Sequence, residues 1–137
     1  MYVVTEPGMP GVAVAFISEL VISAVMMAMV LRVSSSERWK RYTGVFAGLL
    51  VATYIVIESP LSGMSMNPAH TVASALAAHR WIAVWIYFVA PLLGMLIAAE
   101  LFVRTRAQRE IPCGKIMHAD PCLFCEHVRR IKGVRVV

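Results

Sequence analysis

Three long apolar stretches dominate the chain. Val12 to Leu31 is twenty residues with a single charge, Glu19. Tyr42 to Ile57 is sixteen residues without a charge, and Glu58 and Ser59 extend it. Ile82 to Ala99 is eighteen residues without a charge, ended by Glu100. Apolar runs of about eighteen residues or more read as membrane-spanning helices. Three spans are therefore expected, over about 12–32, 42–58 and 82–103. Composition agrees: 59 % of the 137 residues are hydrophobic and 15 % charged, more apolar than a soluble domain.

The polar segments supply the topology. "MYVVTEPGMPGV" has no basic n-region and no small-residue cleavage site, so it does not read as a secretory signal. Pro7, Gly8, Pro10 and Gly11 make residues 1–11 a loop leading into the first span. Of thirteen Lys and Arg, four (Arg32, Arg38, Lys40, Arg41) follow the first span and eight follow the last, leaving Arg80. With three spans those twelve fall on one side, which the positive-inside rule makes cytoplasmic. The C-terminus is then expected inside the cell, and the N-terminus and the 59–81 segment outside. The net charge of +5 follows from this topology and is no sign of nucleic-acid binding.

Between the second and third spans lies "SGMSMNPAHTVASALAAHRW". Asn is a preferred helix N-cap and Pro a preferred first helical residue, so Asn67-Pro68 starts a helix. Twelve residues from Pro68 to His79 reach about 18 Å at the usual rise, roughly half of a bilayer's hydrocarbon core. The expected element is a re-entrant half-helix, entered through a non-helical limb from Ser59 to Met66. Such backbone is tolerated at membrane depth only where it is packed in protein or lines a wet cavity. The N-terminus of the half-helix would carry its positive dipole end to the midplane.

"SGMSMNPAHTVASAL" followed by "WIYFVAPLLGMLIAAEL" resembles the second half of an aquaporin, a major intrinsic protein. The matching residues are Ser62, Gly63, Met66, Asn67, Pro68 and Ala69, then Trp85, Tyr87, Pro91 and Gly94, and Glu19 to Ser23 in the first span. The resemblance implies an all-α membrane fold of three transmembrane helices plus one re-entrant half-helix, one inverted-repeat half of an aquaporin-like fold over 12–103, with 59–79 re-entrant. It implies that Asn67, at the start of Asn67-Pro68-Ala69, offers amide N–H groups to a passing solute. The carbonyls of Gly63, Met64 and Ser65 would form a ladder of acceptors. Ile55, Met64 and His70 would be this half's members of the outer constriction, with His70 where most of the family has Arg. Glu19 would bind backbone N–H groups of the re-entrant loop. The function implied is half of a passive channel for water or small neutral solutes (glycerol-like, ammonia or gas), with the lipid bilayer and a first-half segment as partners and a tetramer as the complete assembly.

Met1 lies close to the family's junction between halves, so a fragment or truncated product is expected, unable to conduct alone. Two close-contact stripes are also expected, Gly44-x-x-x-Gly48 and Ala90-x-x-x-Gly94-x-x-x-Ala98. In the basic tail, 104–137, Cys113, His118, Cys122 and Cys125 are compatible with tetrahedral zinc; no other cofactor is expected. The alternative is a membrane adaptor whose tail binds a metal or a cytosolic partner. No nucleophile–base set or phosphate loop is present, so no enzyme is expected.

Overall fold

The computed structural model describes residues 4–36 and 38–106. Four α-helices follow one another: α1 (Val12–Ser34), α2 (Thr43–Ser62), α3 (Pro68–Ala78) and α4 (Ile86–Arg106), with a 3-10 turn at Lys40–Tyr42 before α2. No strand occurs among the described residues. Val12–Ser34, Lys40–Ser62 and Ile86–Thr105 are each long and apolar enough to cross a membrane. At eleven residues, α3 reaches about 16 Å and is too short to do so.

The long axis of the molecule is α1 packed along α4, with α2 against the other side of α1. The centre of the α1–α4 seam is Ala15, Ile86, Tyr87 and Ala90, all fully buried, covered by Phe16, Leu20 and Ala83. Small residues let the two backbones meet. A Cβ on Gly94 would lie 2.2 Å from the Leu20 carbonyl oxygen, so only glycine fits there. Ala90 and Ala98, one turn to either side, are buried as well. The Ala90–Gly94–Ala98 stripe is therefore a helix contact, as small-residue stripes commonly are. The Gly44–Gly48 stripe is different: nothing in the described residues approaches within 4 Å of a Cβ at either position. That face of α2, with Val45, Leu49 and Val56, is exposed.

Two boundaries differ from the sequence expectation. The non-helical limb does not begin at Ser59, because α2 runs through Pro60 to Ser62. Pro60 removes one backbone donor, but the helix ends at Gly63, where φ is 74° and the Gly63 N–H donates to the Ser59 carbonyl at 2.8 Å. Glycine stops a helix in this way because the left-handed conformation carries no Cβ penalty. The last helix starts at Ile86 and not at Ile82, since residues 82–85 are turns with Ala83 at φ 50°. Hydropathy continues through these turns because it registers apolar side chains, Ile82 and Trp85 among them, and not the backbone conformation. At their other ends, α1 and α4 run to Ser34 and Arg106.

The seam generates a test. Gly94→Ala must separate α1 from α4 and should destabilise the protein by about 1–3 kcal/mol, as overpacking does. Gly48→Ala, in open space, should change stability by no more than about 0.5 kcal/mol. Unfolding midpoints of both variants in mixed micelles measure the difference.

Candidate re-entrant segment and half-helix

The segment joining α2 to α3 is five residues, 63–67, and its backbone is unusual. Gly63, Met64 and Met66 have φ of 74°, 42° and 47°. For the two methionines a left-handed conformation costs about 1–2 kcal/mol each, so surrounding contacts must hold it. Those contacts are mostly to the amides. Met64 N–H donates to Ser62 Oγ (3.2 Å), Ser65 N–H to Glu19 Oε1 (2.8 Å), Met66 N–H to Glu19 Oε2 (2.9 Å) and Asn67 N–H to Ser65 Oγ (3.3 Å). With Gly63 bonded to Ser59, every backbone N–H of the segment is committed to the protein. No described residue donates to the carbonyls of Gly63, Met64 or Ser65.

Glu19 is thus the anchor. It is fully buried in the middle of α1 and accepts two backbone amides and the Ser62 hydroxyl (2.8 Å). A buried carboxylate is tolerated when several donors converge on it. Tyr87 of α4 closes the site from the opposite side, its hydroxyl donating to the Ser62 carbonyl at 2.5 Å. Ser65 Oγ bonds the Asn67 carbonyl (2.8 Å) and the Thr71 hydroxyl (2.6 Å) and ties the segment to the first turn of α3.

Asn67 caps α3. Its Oδ1 accepts the Ala69 N–H at 3.0 Å, and Pro68 occupies the first helical position. With one lone pair of Oδ1 used by the helix, the side chain still offers both of its amide N–H donors. Asn67, Ala69 and His70 are exposed. The structure therefore brings Gly63, Met64, Ser65, Asn67, Pro68, Ala69 and His70 into one run from the end of α2 to the first turn of α3. Ile55 lies about two turns before Ser62 on α2 and is exposed.

The sequence reading missed several contacts. The lead-in crosses α3: Thr5 Oγ1 lies 3.4 Å from His70 Nδ1, Thr5 N–H donates to Ser74 Oγ (3.3 Å), and Glu6 pairs with Arg80 at 3.1 Å. Gly8 N–H donates to the Leu61 carbonyl at 2.9 Å, and a Cβ on Gly8 would meet the Pro60 oxygen at 2.0 Å. Pro and Gly marked this stretch as a loop without saying what it touches. In the sequence Ser62 and Tyr87 stand only as family-matching residues and Glu58 only as the extension of a span; the Glu58–Ser62 spacing of one helical turn is the signal for their contact. The candidate metal ligands Cys113, His118, Cys122 and Cys125 lie outside the described residues. Among the described residues no group of three His, Cys, Asp or Glu side chains could hold a metal ion.

A family profile described as Major intrinsic protein matches residues 2–102. Aquaporin NIP6-1 of Arabidopsis thaliana is 35 % identical over 101 residues, 73 % of this chain and 33 % of the relative. Aquaporin NIP4-1 of Oryza sativa subsp. japonica is 38 % identical over 90 residues, 65 % of this chain and 32 % of the relative. Aquaporin NIP2-1 of Zea mays is 36 % identical over 126 residues, 89 % of this chain and 41 % of the relative. The chain spans about a third of the length of the curated relatives it matches.

The anchoring role of Glu19 has a direct readout. Glu19→Gln replaces an acceptor for two amides by a single neutral carbonyl. Hydrogen bonds to charged groups contribute about 1.5–3 kcal/mol, so amide exchange at Ser65 and Met66 should accelerate by roughly tenfold or more. Exchange within α4 should be unaffected, and site-resolved NMR in bicelles separates the two.

Proposed function

The chain belongs to the major intrinsic protein family, and on that premise we propose that residues 12–103 are one half of a passive channel for water or small neutral solutes. One observation supports this reading: the 63–67 segment commits all its backbone N–H groups to the protein, and no described residue donates to the carbonyls of Gly63, Met64 and Ser65. Beside it, Asn67 keeps amide donors in reserve at the N-terminus of a half-length helix. A solute moving past would exchange acceptors along the carbonyls and meet donors at Asn67, so its desolvation would cost little. The positive end of α3 would disfavour cations, relayed protons included.

The chain is a multi-pass integral membrane protein. In our reading its C-terminus is cytoplasmic and its N-terminus outside, from the twelve-to-one distribution of Lys and Arg. Ile55, Met64 and His70 would contribute the outer constriction. The Thr5 hydroxyl beside His70 supports adding the lead-in to that constriction. An apolar Ile55 and the absence of an Arg after Ala69 favour glycerol-like solutes, ammonia or gas over a strict water filter. The second half-helix would come from a matching first-half segment, which would also cover the exposed face of α2; the complete channel would be a tetramer. Nothing in this scheme calls for a cofactor or for enzymatic chemistry.

The test is flux into liposomes, followed by stopped-flow light scattering. The 137-residue polypeptide alone should stay at the lipid background, and a matching first-half segment inserted with it should raise flux above that. In the combined channel Asn67→Asp, which exchanges amide donors for a charge, should lower flux by about tenfold or more, the equivalent of one lost hydrogen bond. Unchanged flux at equal protein level would remove Asn67 from the pathway.

A further inference from the structure

Ser62 sits between two buried carboxyl groups. Its Oγ is 2.8 Å from Glu19 Oε1 and also contacts Glu58 Oε1. Glu19 and Ser62 are fully buried, and Glu58 is 3 % exposed. Neither carboxyl forms an ion pair with a basic side chain among the described residues, where the pairs are Arg80–Glu6 and Arg104–Glu100.

The count of protons decides what this arrangement is. A serine hydroxyl has one proton to donate and two lone pairs to accept with. It cannot donate to both carboxylates, and Met64 N–H already occupies one lone pair. The remaining lone pair faces Glu58 or Glu19, so one of the two must bring a proton of its own. Glu19 accepts the Ser65 and Met66 amides on its two oxygens, the environment of an ionised carboxylate. Glu58 has no such support. Its Oε2 is buried without a partner, and so are two hydroxyls on the same pair of helices, Ser23 Oγ and Tyr54 Oη. Ser23 lies one turn beyond Glu19 on α1, and Tyr54 one turn before Glu58 on α2, yet neither donates to Oε2. A bare charge at Oε2 would be costly in an apolar interior.

We infer that Glu58 is held as a neutral carboxylic acid whose O–H donates to Ser62, and that it is a positioning residue for the 63–66 segment. The consequence follows bond by bond. The acid proton of Glu58 fills the second lone pair of Ser62 Oγ. That directs the Ser62 proton to Glu19, and leaves the first lone pair to receive Met64 N–H. Glu58 thereby sets the rotation of the hydroxyl that links α1, α2 and the segment. If Glu58 were ionised, two carboxylates would compete for one proton, and the Ser62–Glu19 bond or the Ser62–Glu58 contact would be lost.

The protonation state can be read without any flux measurement, so its outcome is independent of the channel proposal. Glu58–Ser59 is the sole Glu-Ser step in the sequence. Full-length chain carrying 13C-glutamate and 15N-serine, in phosphatidylcholine bilayers at neutral pH, therefore gives one solid-state NMR pathway through that peptide bond. The Cδ resonance reached through it should have the shift of a neutral acid. In infrared spectra, the C=O stretch of a protonated carboxylic acid should be present in the wild type and lost in Glu58→Gln. In that variant the amide N–H takes over the donor's role, so exchange at Met64 should stay near the wild-type rate, while Glu58→Ala should raise it. A Cδ resonance at the carboxylate position would overturn the inference. So would one that moves on adding sodium or calcium, since a bound cation would then hold the pair. If neither variant folds, the wild-type resonance decides alone.

Discussion

The bonds from Glu19 to the Ser65 and Met66 amides are the constraint from which the rest of the local structure follows. Backbone between two helices in an apolar chain has no water to satisfy it on the protein side. Two left-handed methionines make this stretch costly in its own right. A single carboxylate resolves both problems, because its two oxygens accept consecutive amides and hold the turn open. Once the donors are fixed on that side, the carbonyls of Gly63, Met64 and Ser65 are left for whatever lies on the other.

Placing Glu19 there is the task of the α1–α4 seam. Gly94 lets the α4 backbone approach the Leu20 carbonyl, one residue from Glu19. Tyr87, on the same helix two turns earlier, then reaches the Ser62 carbonyl. The small residues of α4 and the hydrogen bonds at the end of α2 are therefore parts of one arrangement. Loosening the helix contact would move the carboxylate away from the amides it supports. Helix contacts in membranes depend on close approach, since burial from lipid contributes little.

The lead-in extends the same logic to the outer edge of α3. Gly8 is wedged against the Pro60 carbonyl, Thr5 touches Ser74 and His70, and Glu6 meets Arg80. Thr5 thus holds one face of the half-helix, Glu6 the turn that follows it and Gly8 the end of α2, while Ser65 and Thr71 hold the first turn of α3. In our functional reading this makes the loop a neighbour of the constriction. By contrast the face of α2 that carries Gly44 and Gly48 is uncovered within the described residues.

The sequence by itself determined the elements. Runs of apolar residues place three spans, because a helix in lipid needs an unbroken apolar length. Asn67-Pro68 places the start of α3 to the residue, because capping is a local property of the backbone. Its boundaries failed where the physics is not local. The end of α2 is decided by Gly63 and its bond to Ser59, so the limb begins there and not at Ser59 as expected. The start of α4 is decided by turns over 82–85 that hydropathy does not register. What only the tertiary structure decided is which polar groups meet. Glu19 and Ser65 are 46 residues apart in the chain, and Thr5 and His70 are 65 apart. Glu58 stood in the sequence as one charge at the edge of a span. Its contact with Ser62 is one helical turn along α2, but the link from Ser62 on to Glu19 exists because α1 and α2 pack with those residues at one level, and pairing 43 residues apart is set by packing, which no local pattern encodes.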